Sequence, residues 1–349
     1  MATTRREFKL GIVGCGRISQ TYIQAIKDCP HCQLVAVMDV RPESVQAAAE
    51  AGRNVGAQSE CKAFTGLDEF IEGCGADGVI VCSPPSTHRD VACKALQVGI
   101  HVLCEKPFAT RYDDALAMVK AARDADLVLM MASKFRYAED IIRAKAIVAS
   151  GMLGTVQFYE NKFCSKTDMR QRWNSDPEIA GGGVIIDNGT HSVDIVRYLL
   201  GPIRLVNAQE GKRINNLPVE ETACLSLVTE NEVMGNVNLS WSMTISQEDY
   251  IEIYGTEGVL KVGWQSSRYQ HLGHQQWVAF GVGYNKVEAF KNQVKNFIES
   301  VRGSAQPLIS EEEGLASVEV IEAAYQSLKT RNWVQVEGKA SCQRHASAM

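Results

Sequence analysis

From Phe8 to about Ser133, short apolar runs alternate with amphipathic stretches. The runs are Phe8–Val13, Gln33–Met38, Gly78–Cys82, His101–Cys104 and Leu127–Met131. Nearly continuous apolar runs of this length suit strands buried on both faces, and the helical periodicity between them supplies the covering layers. The pattern therefore predicts an α/β, doubly wound parallel sheet. Thr110 followed by Asp113 resembles a capping box for a helix whose apolar face carries Ala115, Met118, Val119 and Ala122. After Tyr137 the rhythm changes. A helix over Ala138–Ser150 is followed by a glycine run, a second helix, and strands of period two at Ala223–Val228, Val233–Trp241 and Tyr250–Tyr254. Thr229–Glu232 reads as the turn joining two of them. Two helices follow, Lys286–Val301 and Glu311–Lys329, the second opened by Ser310 with Glu313 at capping-box spacing. Two domains are expected: 1–133, and 134–349 as an α+β domain with a large, open, mainly antiparallel sheet and a polar tail frayed over 338–349.

Composition narrows the function. The 349 residues are 45% hydrophobic and 22% charged, ordinary for a folded globular chain and too apolar for a disordered one. Thirty-six Lys plus Arg against forty-one Asp plus Glu leave a formal charge of −5, so no global positive field attracts nucleic acid or anionic lipid. No apolar run approaches the roughly 18–20 residues that span a bilayer. Met1–Lys9 is basic and polar rather than a secretory core, so a cytoplasmic protein is expected. The eleven cysteines are odd in number, and several lie in apolar runs, which suits free buried thiols in a reducing compartment. Cys29 and Cys32 form the one C-x-x-C pair, with no second pair at zinc-ligand spacing.

Three loops carry chemistry in the first half. Gly11-Ile12-Val13-Gly14-Cys15-Gly16-Arg17-Ile18-Ser19 follows a strand and opens a helix, the setting of a dinucleotide fingerprint, with Ser19 in place of the third glycine. Gly14 permits the tight turn, and Gly16 lets a pyrophosphate approach the helix start, flanked by Arg17 and Ile18. Asp39 ends the second strand, placed to accept from both ribose hydroxyls and to repel a 2′-phosphate. NAD is therefore expected over NADP, with Arg41 as the neighbouring cation. Cys82-Ser83-Pro84-Pro85-Ser86-Thr87-His88 puts Ser83, Pro84 and His88 outside the carboxyl end of a parallel strand, as cofactor-floor residues or as a proline loop that only starts a helix. Glu105-Lys106-Pro107 ends the next strand; Pro107 biases Lys106 toward extended backbone, where its ammonium can stabilise charge on a carbonyl or alkoxide oxygen.

In this order, the glycine loop, the Ser-Pro-Pro-x-x-His loop and the Glu-Lys-Pro tripeptide resemble the Gfo/Idh/MocA oxidoreductases, which include inositol dehydrogenases and glucose-fructose oxidoreductase. The resemblance spans nearly the whole chain. It implies an N-terminal Rossmann domain joined to a C-terminal substrate-binding and oligomerisation domain, whose open sheet commonly pairs copies into homodimers or homotetramers. It also implies Glu105 and Lys106 beside the cofactor.

The stretch from Gly181-Gly182-Gly183 through Asp187, Gly189, His191 and Asp194 is similar to that family's glycine run followed by D-x-G-x-H. If helical, it places Asp187, His191 and Asp194 on one face. A carboxylate below an imidazole fixes its tautomer and raises its basicity, suiting His191 to take a hydroxyl proton. The resemblance assigns catalytic roles to Lys106, Asp187 and His191. A metal held by His191, Asp187 and Asp194 is the rival reading, but hydride transfer from an alcohol needs none when a lysine polarises the oxygen, and no metal is expected. Asp194 points toward a helix body containing Val196, Tyr198 and Leu199, which suits a structural partner.

The segment Lys162–Trp173 carries Lys162, Lys166, Arg170 and Arg172 against Asp168. Lys166 and Arg172 could hold a phosphate or carboxylate with Trp173 on a sugar face, or form a solvated basic loop. Arg136, with its neighbours Lys134 and Tyr137, and Tyr284 are further candidate substrate residues. The expected activity is NAD-dependent oxidation of a secondary hydroxyl of a sugar, an inositol-like polyol or a sugar derivative, or the reverse. Two alternatives are an NAD-binding sensor without turnover, and a glycoside-processing enzyme that oxidises its substrate transiently with tightly held NAD.

Overall fold

The computed structural model describes residues 6–53 and 60–338. The expected frayed tail therefore lies, from residue 339 onward, outside the described residues. Two compact units emerge. Unit 1 comprises the chain up to Ala109, Asp113–Lys134 and Lys286–Leu315; unit 2 comprises Thr110–Tyr112, Phe135–Asn285 and the chain from Ala316 on. This differs from a single boundary at 133/134, because residues 286–315 return to unit 1. The cause is packing: Phe290 and Phe297 are buried there, Phe290 edge-on to Tyr22 at 4.8 Å and Phe297 edge-on to Phe8 at 6.2 Å.

Unit 1 holds strands β1 (Phe8–Val13), β2 (Cys32–Met38), β3 (Lys62–Phe64), β4 (Gly78–Val81), β5 (His101–Glu105) and β6 (Leu129–Ala132). They form one sheet in the order β3-β2-β1-β4-β5-β6, parallel throughout. Helices α1 (Arg17–Lys27), α2 (Pro42–Arg53), α3 (Leu67–Gly73), α4 (His88–Gln97) and α5 (Tyr112–Asp124) connect them. The doubly wound expectation holds, and the apolar runs account for the buried central strands. α5 begins at Tyr112, so Thr110 lies outside its capping position. Strand order reverses between β1 and β4, and in such sheets ligands bind outside the carboxyl ends of the strands flanking that reversal.

Unit 2 begins with α6 (Glu139–Ala149), β7 (Val156–Cys164), the short α7 (Pro177–Ala180), a π-helical turn over Ile185–Gly189 and α8 (Thr190–Leu200). Strands β8 (Ile203–Glu210), β9 (Thr222–Thr229), β10 (Met234–Ser240), β11 (Asp249–Gly255), β12 (Gly258–Gly263), β13 (Ser267–His271) and β14 (Val278–Gly281) follow. After α9 (Lys286–Val301), which lies in unit 1, α10 (Glu311–Thr330) leads to β15 (Val334–Gln335). The nine-stranded sheet runs β14-β13-β12-β11-β7-β10-β9-β8-β15. Only its β7–β10 pair is parallel, as expected for a mainly antiparallel sheet. Alternation is clearest in β7, β9, β10 and β12: Tyr159, Leu225, Val237 and Leu260, with Ile253 of β11, join a core with Ile141, Val193, Val196 and Ile321, while Lys162, Ser226, Asn238 and Glu252 on the other face are half-buried. The predicted β9–β10 turn forms, with Glu232 in the left-handed region at φ +62° and its amide donating to Thr229 O at 3.0 Å. At α10, the Glu313 amide donates to Ser310 Oγ at 3.4 Å, as the capping box requires.

Candidate active site

In unit 1 the three loops read from the sequence leave the carboxyl ends of adjacent strands. Gly14 follows β1, Ser83 follows β4, and Lys106 follows β5. Gly14 sits at φ +94°, and a Cβ there would strike the backbone of Cys82 and Ser83, so only glycine lets the first two loops close on each other. Gly16 differs: a Cβ would meet nothing within 4 Å. It precedes α1, whose first turn has neither a side-chain cap nor an acidic residue, leaving amides and open space for an anion. Ser19 explains the departure from the third glycine, for it is fully buried and its Oγ donates to Gly16 O at 2.6 Å. Arg17 is exposed and Ile18 half-buried.

Asp39 ties the glycine loop to β2. Its Oδ2 accepts from the Cys15 amide at 2.7 Å, and its Oδ1 accepts from the Arg41 amide at 3.0 Å and from Arg41 Nε at 3.3 Å. The carboxylate is thereby fixed in orientation, with acceptor capacity remaining on each oxygen. This loop, open at Gly16 and flanked by an oriented carboxylate, fits an adenine dinucleotide.

Two residues expected beside the cofactor also tie the loops of unit 1 together. Both ring nitrogens of buried His88 face carbonyl oxygens at 2.9 Å, Nδ1 that of Pro107 and Nε2 that of Ser83. The ring thus joins the second loop to the third and keeps no nitrogen for a ligand. Burial lowers its pKa, against the two carbonyls, which favour the charged ring. Glu105 is also buried: Oε1 accepts from Tyr22 Oη at 2.7 Å, and Oε2 accepts from the Lys106 amide at 3.1 Å. Gln293 Nε2 donates to the same Tyr22 oxygen at 2.7 Å. Burial raises the Glu105 pKa, opposed by the Tyr22 hydrogen bond and by the charges of Lys106 and Lys134. Glu105 therefore acts on the backbone that presents Lys106. The Lys106 side chain is half-buried and its peptide bond to Pro107 is cis. Thr87 Oγ1 donates to Ser83 Oγ at 2.7 Å and to Pro84 O at 2.8 Å, bracing the second loop.

In unit 2, Asp187 lies within the π turn and His191 in the first turn of α8. The helical expectation holds with one change: the turn carrying Asp187 is widened, a form common at functional sites. Glu220 fixes its start. The carboxylate accepts from the amides of Gly183 and Ile185, both at 3.0 Å, and from Tyr325 Oη at 2.7 Å, while Glu220 O accepts from the Val184 amide at 2.9 Å. Burial pushes the Glu220 pKa up, opposed by these hydrogen bonds. This explains the glycine run: a Cβ on Gly182 would strike the Tyr325 hydroxyl, and one on Gly183 the Glu220 carbonyl. Sequence spacing gives no signal for Glu220 or Tyr325, which act from the loop before β9 and from α10.

His191 is 7% exposed and packs edge-on to Phe135, with ring centroids 5.0 Å apart. Phe135 also packs against Tyr284 at 4.9 Å, so Tyr284 belongs to the aromatic wall near His191. Arg136, a candidate substrate residue, has a partner within unit 2. Its guanidinium is buried and ion-paired with fully buried Asp194 at 2.8 Å, beneath the ring of Tyr198, so it braces α8. The same pair gives Asp194 the structural role expected of it. Among the described residues no three His, Cys, Asp or Glu side chains gather as metal ligands.

The basic segment is partly neutralised. Lys162 pairs with Glu160 and Glu252 at 3.2 Å, and Arg170 with Asp168 at 2.7 Å, which holds the Asp168 carboxyl down at about 2. Arg172 and Trp173, with Asn216 and Pro218, line an open cavity of about 670 Å³. Lys166 is exposed on the same segment.

A parallel nucleotide-type sheet with a glycine loop at its reversal point, together with a second, open-sheet unit, defines an NAD-binding oxidoreductase architecture. Residues 8–133 match the oxidoreductase family with NAD-binding Rossmann fold, and residues 141–261 match the GFO/IDH/MocA C-terminal domain; the chain belongs to this family. It is 25% identical to D-apiose dehydrogenase of Paraburkholderia graminis, over 96% of this chain and 91% of that protein. It is 23% identical to myo-inositol 2-dehydrogenase of Thermotoga maritima, over 94% and 98%. Among solved structures it is similar to the WlbA dehydrogenase of Bordetella pertussis in complex with NADH and UDP-GlcNAcA, with a TM-score of 0.80 and 25% identity, covering 95% of this chain and 99% of that one. Among the described residues no helix is long and apolar enough to cross a membrane.

Proposed function

We propose that the protein oxidises a secondary hydroxyl of a sugar, a polyol or a sugar derivative to the ketone, or catalyses the reverse, with NAD. The observation that carries this reading is the convergence of Gly14, Ser83 and Lys106 at the carboxyl ends of neighbouring parallel strands, beside an uncapped helix start. Gly14, Gly16 and Asp39 would hold the dinucleotide, with Arg17, Ile18, Arg41, Ser83 and Pro84 at its edges. Bound NAD supplies the two-electron acceptor for the carbon being oxidised.

His191 takes the hydroxyl proton, and Asp187 orients the ring. Lys106 is assigned to stabilise negative charge that develops on a substrate oxygen. His88 and Glu105 act through backbone by fixing the loops that present Ser83 and Lys106. Lys166, Arg172, Trp173 and Tyr284 are assigned to substrate recognition. The half-buried polar face of the nine-stranded sheet supports assembly into a homodimer or homotetramer, and the free thiols support a cytoplasmic setting. Inositols, pentoses, hexoses, uronates and sugar phosphates assayed with NAD and NADP test the activity through reduced-nicotinamide absorbance. His191→Ala and Lys106→Ala should each lower kcat at least about 100-fold with NAD affinity unchanged within about threefold. Full turnover in either variant would overturn the roles, and NAD binding without turnover of any substrate would favour a sensor.

A further inference from the structure

The cofactor loops leave one motif of unit 1 without a role, the Cys29-Pro30-His31-Cys32 turn joining α1 to β2. Pro30 and His31 are its central pair, with His31 at φ +60°, the left-handed conformation required at the third position of a type II turn. Such a turn brings its first and last Cα atoms within about 7 Å, the range that a disulfide bridges. Both cysteines are free thiols, buried but not fully enclosed, at 8% and 7% exposed.

The neighbouring Cys32 thiol holds the pKa of Cys29 below the ordinary thiol range, while Cys32 itself is pushed up by Cys29 and by burial. The positive charges of Arg302 and Lys291 add to this, against burial and Glu299, while Glu7 lies toward Cys32. Arg302 is anchored, its Nη2 donating to Arg6 O at 2.8 Å and to His31 O at 3.3 Å. The Phe8 amide fixes the turn from the other side, donating to His31 O at 2.9 Å. By contrast, burial pushes the thiols of Cys15, Cys61, Cys93, Cys164 and Cys224 up.

We propose that Cys29 and Cys32 form an oxidisable dithiol, a modification site that closes to an intramolecular disulfide when the protein meets hydrogen peroxide. The Cys29 thiolate attacks one peroxide oxygen, the O–O bond breaks, and the departing hydroxide takes a proton to become water. Cys32 sulfur then attacks the Cys29 sulfenic acid, and the second oxygen leaves as water. Two thiols lose two electrons and two protons; one peroxide is reduced to two waters. The site stands independently of the roles given to His191 and Lys106.

The test treats the full-length native chain with hydrogen peroxide, alkylates the remaining thiols with iodoacetamide and digests with trypsin. Cleavage after Lys27 and Arg53 releases a peptide whose only cysteines are Cys29 and Cys32. After oxidation it should lack both alkyl groups and be lighter by two hydrogens, and dithiothreitol should restore alkylation. Before oxidation, Cys29 should alkylate about tenfold faster than Cys32. In Cys32→Ser, Cys29 should stop at a sulfenic acid that dimedone traps; in Cys29→Ser, Cys32 should stay alkylatable. Full alkylation of both cysteines at a peroxide dose that oxidises methionines of the same chain would overturn the proposal. So would sulfinic acid at Cys29 of the unaltered protein without a disulfide.

Discussion

Asp39 shows how one carboxylate can serve two ends. It holds the Cys15 amide, which keeps the glycine loop folded, and it places negative charge at the end of β2, where a 2′-phosphate would lie. Asp39→Ala should therefore lower the ratio of kcat/KM for NAD over NADP at least about tenfold, with NADP gaining in absolute terms. An unchanged ratio in parallel steady-state assays would remove Asp39 from cofactor choice. The residue types of this loop were legible because each answers to backbone geometry: glycine at a left-handed turn, glycine at an open helix start, an acid at a strand end. His88, Glu105 and Arg136 were not legible. Spacing locates a polar side chain near a loop, but it does not say whether a carbonyl, an amide or a buried carboxylate from elsewhere has already claimed it.

The element most exposed to error is the opening of α8. Its π turn carries Asp187, and its first amides depend on Glu220 rather than on a local capping residue. Glu220→Ala would leave buried donors at Gly183 and Ile185 and the Tyr325 hydroxyl without their acceptor, and should cost about 2–4 kcal/mol in urea unfolding. Glu220→Gln keeps a carbonyl oxygen there and should cost less than half as much. Equal stability of the alanine variant and the parent would show that the carboxylate does not hold this turn. The glycine run announced a tight approach, but its partners come from β9's approach loop and from α10. The same limit appears among the strands. β3 is a three-residue edge strand too short to show alternation, whereas the six-residue β1 was evident from its apolar run.

At the scale of the whole molecule, the sequence pattern distinguished two architectures but divided the chain once. The chain crosses between units more often, because α9 carries a buried apolar stripe of Phe290, Val294 and Phe297 and places Gln293 on Tyr22. No periodicity reveals which sheet a terminal helix will cover. Phe290→Ala should destabilise unit 1 by about 3–5 kcal/mol in denaturant unfolding, through lost burial and the cavity left against Tyr22. A loss below about 1 kcal/mol would mean that α9 contributes little to that unit. The returning helix also sets an order of events during synthesis. The nucleotide-binding sheet leaves the ribosome early, but the helix that covers Tyr22 is translated only after most of the second unit. The first unit therefore stays incomplete until residues 286–301 emerge, and over that interval the apolar surface around Tyr22 has no covering helix.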